Sequence, residues 1–179
     1  MVVTTKQLLK ATKKLLPLDD KNIIVQPCNA DTAAAMCLAA MYIDALFPES
    51  VAVFIYSDQY IGEGGKFLNA INLAVDLAAQ EDKMMIIGTR PTFANVGFGY
   101  VKMGQKSGKN VYKVAGFKEK PAKPIAAKMV KSNEWLWNTG IKVWKITTLL
   151  RAMKSAAPKM YSMMLQLRVE IGGGDYLKN

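Results

Sequence analysis

Histidine is absent from this 179-residue chain, and cysteine occurs only twice, as Cys28 and Cys37. Without histidine the chain cannot form a Ser-His-Asp or Cys-His catalytic arrangement, and two cysteines alone do not make a zinc site. Both cysteines lie in or beside one apolar segment, where reduced and packed thiols are expected. Any metal ion must therefore be held by carboxylates and substrate phosphates, which favours Mg²⁺.

Long apolar runs are also missing. The nearest candidate, residues 32–47, is rich in alanine and is interrupted by Asp44, so a membrane span is not expected. The first residues show no apolar core followed by a small-residue cleavage site, and no export signal is predicted. These absences predict a cytoplasmic protein. A hydrophobic fraction of 51% is enough for one folded domain with a core.

Acidic residues are scarce in one part of the chain. Residues 102–131 hold nine lysines and one acid, Glu119, so this segment carries +8 of the net charge of +10. A solvated lysine-rich surface and attraction of polyanionic small molecules such as nucleoside triphosphates both fit this pattern. Nucleic-acid binding fits it less well, because arginines and interleaved aromatic residues are few.

The remaining pattern predicts an α/β fold, because short apolar runs alternate with longer segments of helical periodicity. We expect a Rossmann-like, three-layer α/β/α arrangement with a mostly parallel sheet and one antiparallel hairpin. The predicted strands cover residues 22–25, 51–56, 84–87, 98–103, 110–117 and 141–144. The predicted helices cover residues 6–16, 32–46, 66–79, 147–156 and 158–170, with a short additional helix ending at Val130.

Two motifs lie at predicted strand ends: Phe-Lys-Glu-Lys-Pro at residues 117–121 and Trp-Leu-Trp-Asn-Thr-Gly at residues 135–140. Pro121 cannot join a sheet ladder, so the first strand should end at Lys120. Glu119 and Lys120 then lie where open α/β sheets bind ligands, and Asn138 begins the next strand. A carboxylate, an ammonium and an amide beside glycines suit a sugar phosphate.

In this order and at this spacing, the two motifs resemble those of the sugar-1-phosphate nucleotidyltransferases, and they are most similar to the mannose-1-phosphate guanylyltransferase branch. The resemblance implies a glycosyltransferase-A-like fold and a reaction that joins mannose 1-phosphate and GTP into GDP-mannose and pyrophosphate. It also implies that Glu119 and Asn138 bind sugar hydroxyls and that Lys120 binds the phosphate and assists catalysis. Gly99, in the phrase Gly97-Phe98-Gly99-Tyr100, would approach the sugar.

Asp58 follows a predicted strand and is the strongest candidate for a metal ligand. The resemblance implies that this carboxylate holds Mg²⁺ against the nucleotide phosphates and is catalytic. Gln59 stands where the family commonly has histidine. The simpler alternative is an aspartate that caps a loop.

The segment from Gln26 to Thr32 resembles the loop that binds the nucleotide base. Thr32 matches the family pattern, whereas Gln26 replaces the usual glutamate. A glutamine offers one acceptor and one donor, which suits uracil or thymine better than guanine. A thymidylyl- or uridylyltransferase therefore remains open, as does a plain capping loop with Asp31 as the helix N-cap.

The resemblance covers residues 2–146 well, but the family's glycine-rich phosphate loop and its downstream metal-binding aspartate have no counterpart. We therefore expect residues 1–179 to be a partial nucleotidyltransferase catalytic domain of low activity. Loss of a central strand would expose sheet edges and favour association, for example as a homodimer. The competing hypothesis is a non-catalytic basic α/β module that binds anionic partners or regulates an intact enzyme.

Overall fold

The computed structural model describes residues 1–27 and 32–172, with side chains as far as residue 166. Its strands are β1 (Val2–Thr5), β2 (Ile23–Gln26), β3 (Val51–Phe54), β4 (Met85–Thr89), β5 (Tyr100–Gly108), β6 (Val111–Lys118) and β7 (Trp135–Lys145). Its helices are α1 (Leu9–Leu15), α2 (Thr32–Leu46), α3 (Gly64–Glu81), α4 (Lys123–Ser132), α5 (Ile146–Ala156) and α6 (Pro158–Gly172). Cys28 and the predicted N-cap Asp31 lie outside the described residues.

The predicted α/β class is confirmed, but the N-terminal residues differ from the expectation. The predicted helix over residues 6–16 is shorter, and the strand β1 precedes it. Val2, Val3 and Thr4 are β-branched and favour an extended backbone. β1 pairs in parallel with β2, which places Val2 opposite Ile23 and leaves Thr4 buried.

The chain divides into two compact units, and the first comprises residues 1–52 together with the chain from Trp144 onward. Its core is α2, which packs against α5 and α6 and is buried from Met36 to Tyr42. Helix α5 is amphipathic and buries Leu149 and Leu150. Each such side chain contributes about 1.5–3 kcal/mol when it is fully buried. No helix in the described part of the chain is long and apolar enough to cross a bilayer.

The second unit comprises residues 53–143. Its strands belong to a sheet of order β3–β7–β5–β6, in which β4 also pairs with β7. The predicted hairpin is confirmed as β5 and β6, which turn through Lys109 and Asn110; Asn110 has a φ of 61°. β5 and β4 also run antiparallel to β7. Among the strand pairs whose register is described, the parallel arrangement is therefore confined to β1–β2.

Three strand ends near the predicted site differ from the sequence-based expectation. β7 begins at Trp135 rather than at Ile141, because residues 135–137 pair with β5, so Asn138 lies within the strand. β6 ends at Lys118, two residues before the end at Lys120 that was predicted from Pro121, and β3 ends at Phe54 rather than at the predicted Tyr56. The polar residues that follow β3 and β6 are consequently in turns, where their side chains have more freedom to meet a ligand.

Helix α4 covers the sheet of the second unit. Its Ala126 and Met129 form a buried cluster with Tyr100 of β5 and Trp137 of β7. Helix α4 has a proline in its first turn and ends at Asn133, whose φ of 56° terminates the helix in a left-handed conformation. This packing joins α4 to β5 and β7 at Tyr100 and Trp137, the residues next to Gly99 and Asn138.

Candidate active site

Gly99 is the residue around which the predicted site is built. Its carbonyl oxygen accepts a hydrogen bond of 2.8 Å from the backbone N–H of Asn138. A methyl group built on Gly99 would lie 2.7 Å from Oε2 of Glu119 and 2.8 Å from Cζ of Phe117. The structure therefore brings Gly99, Glu119 and Asn138 together, although they are far apart in sequence, and only glycine leaves room for this approach.

Glu119 and Lys120 form the turn that follows β6. The ammonium of Lys120 lies 3.8 Å from Oε1 of Glu119, and both side chains are more than half exposed. Lys120 has a φ of 40°, an uncommon conformation for a residue with a side chain, and the next residue, Pro121, is fully buried. Such strained turns are found preferentially at functional sites. The pair presents one charge of each sign to solvent, and its carboxylate lies beside Gly99.

Asn138 uses one of its two polar side-chain atoms within the protein. Its Oδ1 accepts a hydrogen bond of 3.0 Å from the backbone N–H of Gly140. This bond fixes the orientation of the side chain and leaves the amide NH₂ group as a donor. Asn138 can therefore donate to a hydroxyl or phosphate oxygen, while Glu119 can accept from a hydroxyl.

Asp58 lies in the exposed turn that follows β3. Its neighbour Gln59 connects this turn to the site, because Nε2 of Gln59 donates to the carbonyl oxygen of Thr139. Thr139 in turn follows Asn138 directly, and its hydroxyl donates to the carbonyl oxygen of Ile87 at 2.7 Å. The turn that carries Asp58 is therefore attached to β7 next to Asn138.

The donor set at Asp58 fits one kind of magnesium site. In the described part of the chain, no group of three or more acidic or cysteine side chains is placed to hold a metal ion. Mg²⁺, however, is commonly bound through one or two carboxylates, with waters and substrate phosphates completing the octahedron. A single exposed carboxylate such as that of Asp58 suits this mode and does not suit an all-protein cage.

Comparison with known proteins places the chain in a family. The sequence profile described as nucleotidyl transferase matches residues 1–170. The chain belongs to the nucleotidyl transferase family. It is 32% identical over 155 residues to a mannose-1-phosphate guanylyltransferase of Salmonella muenchen, a match that covers 86% of this chain and 32% of that protein. The chain thus spans about a third of the length of the curated relatives that it matches.

Solved structures share the fold, and two of them illustrate the likeness. One, described as a mannose-1-phosphate geranyltransferase from Thermus thermophilus, superimposes with a TM-score of 0.84 at 20% identity and covers 96% of this chain and 51% of that one. The other, described as a mannose-6-phosphate isomerase from Helicobacter pylori, has a TM-score of 0.77 at 25% identity, with 93% of this chain and 63% of that one covered. The first likeness concerns the fold alone.

Gln26 and Thr32, the residues predicted to bind the nucleotide base, belong to the first compact unit. Gln26 is the last residue of β2, and its Oε1 is buried without a hydrogen-bond partner among the described residues. Thr32 is the first residue of α2. An unpaired buried acceptor costs about 1–3 kcal/mol, so a ligand that donates to Gln26 would be favoured. The role of both residues in binding a base stays a prediction.

Sequence reasoning missed the contribution of Tyr56 and Lys142. The ammonium of Lys142 donates to the hydroxyl oxygen of Tyr56 at 3.2 Å and to the carbonyl oxygen of Gly140 at 2.9 Å. Tyr56 precedes Asp58 closely in the chain, and Lys142 follows Asn138 on β7. The two residues are distant in sequence, so no local pattern could have indicated their contact. The one signal in the sequence was Gly140, which ends the Trp-Asn-Thr-Gly motif and leaves the space that the Tyr56 ring occupies.

The two tryptophans of β7 have different environments. Trp137 is buried, and Phe93 and Phe98 make T-shaped contacts with it, with ring centroids 5.0 and 5.3 Å away. Its indole Nε1 is buried without a partner among the described residues. Trp135 is only partly buried against the same cluster. Trp137 therefore belongs to the buried core of the second unit, as is common for large aromatic residues on a strand.

Proposed function

We propose that this chain provides the sugar-phosphate site of an enzyme that joins mannose 1-phosphate and GTP. In this reaction an oxygen of the sugar phosphate attacks the α-phosphorus of the triphosphate. A new P–O bond forms, the bond between the α-phosphorus and its bridging oxygen breaks, and pyrophosphate leaves with the bonding electrons. The observation that supports the proposal is that Glu119 and the backbone of Asn138 both contact Gly99, while Lys120 pairs with Glu119.

Each residue has a role that its contacts permit. The carboxylate of Glu119 accepts hydrogen bonds from sugar hydroxyls, and the free NH₂ of Asn138 donates to another oxygen of the ligand. The ammonium of Lys120, which is 64% exposed, contacts the phosphate as a point charge. Gly99, which has no side chain, lets the carboxylate of Glu119 lie close to the backbone, where we propose that it meets the sugar. The reaction needs no covalent bond between substrate and protein, because phosphoryl transfer depends mainly on positioning and on stabilisation of charge.

Asp58 is the residue that would hold Mg²⁺ in this proposal. Bound there, the ion would supply neutralisation of the phosphate charges. Asp58 itself would orient the triphosphate side of the reaction, and the exposed position of its turn leaves room for a ligand of that size. The absence of histidine is no obstacle, because no general base of that type is needed.

The experiment that tests the site is calorimetric titration of mannose 1-phosphate into the chain. Hydrogen bonds to a charged group contribute about 1.5–3 kcal/mol, so Glu119→Gln should lower the affinity at least about tenfold. Glu134→Gln is the matched control, because Glu134 is also an exposed acid that pairs with a lysine, at 3.3 Å from Lys102. Binding that ignores Glu119 and the sugar, and that weakens steeply with salt, would instead identify a basic anion-binding module.

Gln26 favours a second candidate, a uridylyl- or thymidylyltransferase, because its side chain matches the donor and acceptor of a pyrimidine edge. Competition among GTP, UTP and dTTP in the presence of Mg²⁺ decides between the bases. The variant Gln26→Glu should shift the preference toward GTP, since a carboxylate accepts from both guanine N–H groups. A preference that Gln26→Glu leaves unchanged would show that this residue does not contact the base.

A further inference from the structure

We infer that Lys142 is a positioning residue that acts through Tyr56 to hold the turn of Ser57, Asp58 and Gln59 against β7. The turn would then present the Asp58 carboxylate beside Asn138 in one fixed arrangement. This inference rests on the proposed function, because the role of Asp58 as a metal ligand belongs to that proposal. Three contacts on the same short part of β7 support it.

The first contact is between Tyr56 and Gly140. Gly140 has a φ of 78°, and a methyl group at this position would lie 2.6 Å from Cε2 and 3.1 Å from Cδ2 of Tyr56. The ring therefore lies directly against the backbone of β7. Only glycine combines this backbone conformation with this close approach, so the strand has a specific place for the tyrosine.

The second contact is that of Lys142 with the far end of the same ring. The half-buried ammonium donates to the hydroxyl oxygen of Tyr56 and to the carbonyl oxygen of Gly140, and it lies 5.4 Å from the centroid of the tyrosine ring. Both acceptors are neutral, and Lys142 is absent from the salt bridges of the described residues. The ammonium thus holds the Tyr56 hydroxyl in place through a hydrogen bond, and it makes no ion pair with a carboxylate of the described residues.

The third contact is on the other side of Asp58, where the side-chain amide of Gln59 donates to the carbonyl oxygen of Thr139. The turn is therefore held both before and after the aspartate. Both attachment points lie on an irregular part of β7: Ile86 pairs with Lys142 and Gly88 with Asn138, so β7 uses two more residues than β4 over this stretch. Such bulges interrupt the ladder and are enriched next to active sites.

The first test uses the metal-free, nucleotide-free chain and measures ¹⁵N order parameters of Ser57, Asp58 and Gln59. Lys142→Met keeps the length of the side chain but removes the ammonium, and we expect the order parameters to fall from about 0.85, typical of rigid backbone, to below about 0.6. Lys142→Arg should restore them, and Lys113→Met, an exposed lysine of β6, should leave them unchanged. Unchanged values in Lys142→Met overturn the inference.

The second test follows Mn²⁺ by electron paramagnetic resonance during titration of the chain in the presence of GTP. Asp58→Asn should abolish the bound signal, and Lys142→Met should raise the half-saturating Mn²⁺ concentration about tenfold, a loss of about 1.4 kcal/mol. Lys142→Arg should recover the wild-type value. The affinity for mannose 1-phosphate without metal should stay within about twofold in Lys142→Met, equivalent to less than about 0.5 kcal/mol; a larger loss means that Lys142 contacts the ligand itself and overturns the positioning role.

The two tests separate the possible failures. If Asp58→Asn binds Mn²⁺ and GTP like the wild type, the proposed metal role fails, and the inference, which names Asp58 as the residue presented, fails with it. If Asp58→Asn loses binding but Lys142→Met changes neither Mn²⁺ binding nor the order parameters, the proposed function stands and the inference alone is wrong.

Discussion

The backbone N–H of Asn138 and the carbonyl oxygen of Gly99 are joined by a hydrogen bond of 2.8 Å. This bond lies just outside the ladder in which Tyr100 pairs with Trp137. It extends the pairing of β5 and β7 by one step and places the Asn138 side chain beside the position that Glu119 approaches. A sugar phosphate bound here would therefore contact residues fixed by the backbone of two adjacent strands, a geometry more precise than one built on loops alone.

Gly99→Ala should disrupt the site by pushing Glu119 away. The added methyl would meet Oε2 of Glu119 and Cζ of Phe117 at less than 3 Å. Overpacking of this kind costs typically about 1–3 kcal/mol, and the displaced carboxylate should weaken mannose 1-phosphate binding about tenfold, or about 1.4 kcal/mol. Urea denaturation and calorimetry measure the two effects. Unchanged affinity in the folded variant would contradict a role for this contact.

Gly65→Ala is the matched control for that substitution. A methyl at Gly65, in the first turn of α3, meets nothing within 4 Å. Because alanine is the better helix former, the variant should be more stable than the wild type by about 0.5–1 kcal/mol. Its affinity for the sugar phosphate should not change.

Lys120 allows the charge of a side chain to be separated from the conformation of its backbone. At a φ of 40° a residue with a Cβ is strained, so Lys120→Gly should raise the free energy of unfolding by up to about 1 kcal/mol. Lys120→Met should give no such gain. Both variants lack the ammonium and should lose the same affinity for mannose 1-phosphate. Unequal losses, measured by calorimetry, would mean that the turn and not the charge determines binding.

Much of the candidate site could be predicted from sequence because its residues lie in short motifs next to recognisable strands. Pro121 limits β6, so Glu119 and Lys120 could be placed at the end of that strand, whereas Asn138, which was expected to begin a strand, lies within β7. The predicted strand over residues 51–56 likewise indicated that Asp58 follows a strand end, and the observed β3 ends slightly earlier, at Phe54. These patterns are local in sequence, and they agree with the secondary structure that the chain adopts at the same positions.

The parts that could not be predicted depend on pairing between distant residues. β7 begins at Trp135 because β5 supplies partners for it, and the residues before Ile141 do not reveal that partner in their own pattern. Residues 2–5 form β1 because they pair in parallel with β2. This pairing could not be read from the residues themselves, which precede a segment with a helical pattern. The contact of Tyr56 with Gly140 and Lys142 joins residues more than 80 positions apart, on a part of β7 where the register with β4 shifts.

Trp137→Phe should be almost neutral for stability, even though the residue is buried. The indole Nε1 has no partner among the described residues, and an unsatisfied buried donor costs about 1–3 kcal/mol. Phenylalanine removes that donor and keeps a ring between Phe93 and Phe98, so the unfolding free energy should change by less than about 1 kcal/mol, whereas Trp137→Ala should lose about 3–5 kcal/mol. If both variants lost the same amount in urea denaturation, the indole N–H would have a stabilising partner after all.

Cys37 provides a prediction for the first compact unit that needs no ligand. The thiol is fully buried in α2, and this burial raises its pKa. As the pH rises past the ordinary thiol pKa of about 8.5, the unfolded chain loses this proton while the folded chain keeps it. The unfolded state is then favoured, so this group lowers the free energy of unfolding with rising pH until the raised folded pKa is reached.

The measurement is made in a Cys28→Ser background, which leaves Cys37 as the one thiol. Urea denaturation between about pH 8 and 10 should show a downward slope of at most about 1.4 kcal/mol per pH unit from this group. Because lysines and tyrosines also titrate, the quantity to compare is the difference in slope from the same chain with Cys37→Ala, which lacks the thiol. Ellman's reagent should react with Cys37 only after denaturation. A thiol that reacts in the folded chain, together with equal slopes in the two variants, would show that α2 does not bury Cys37 as described.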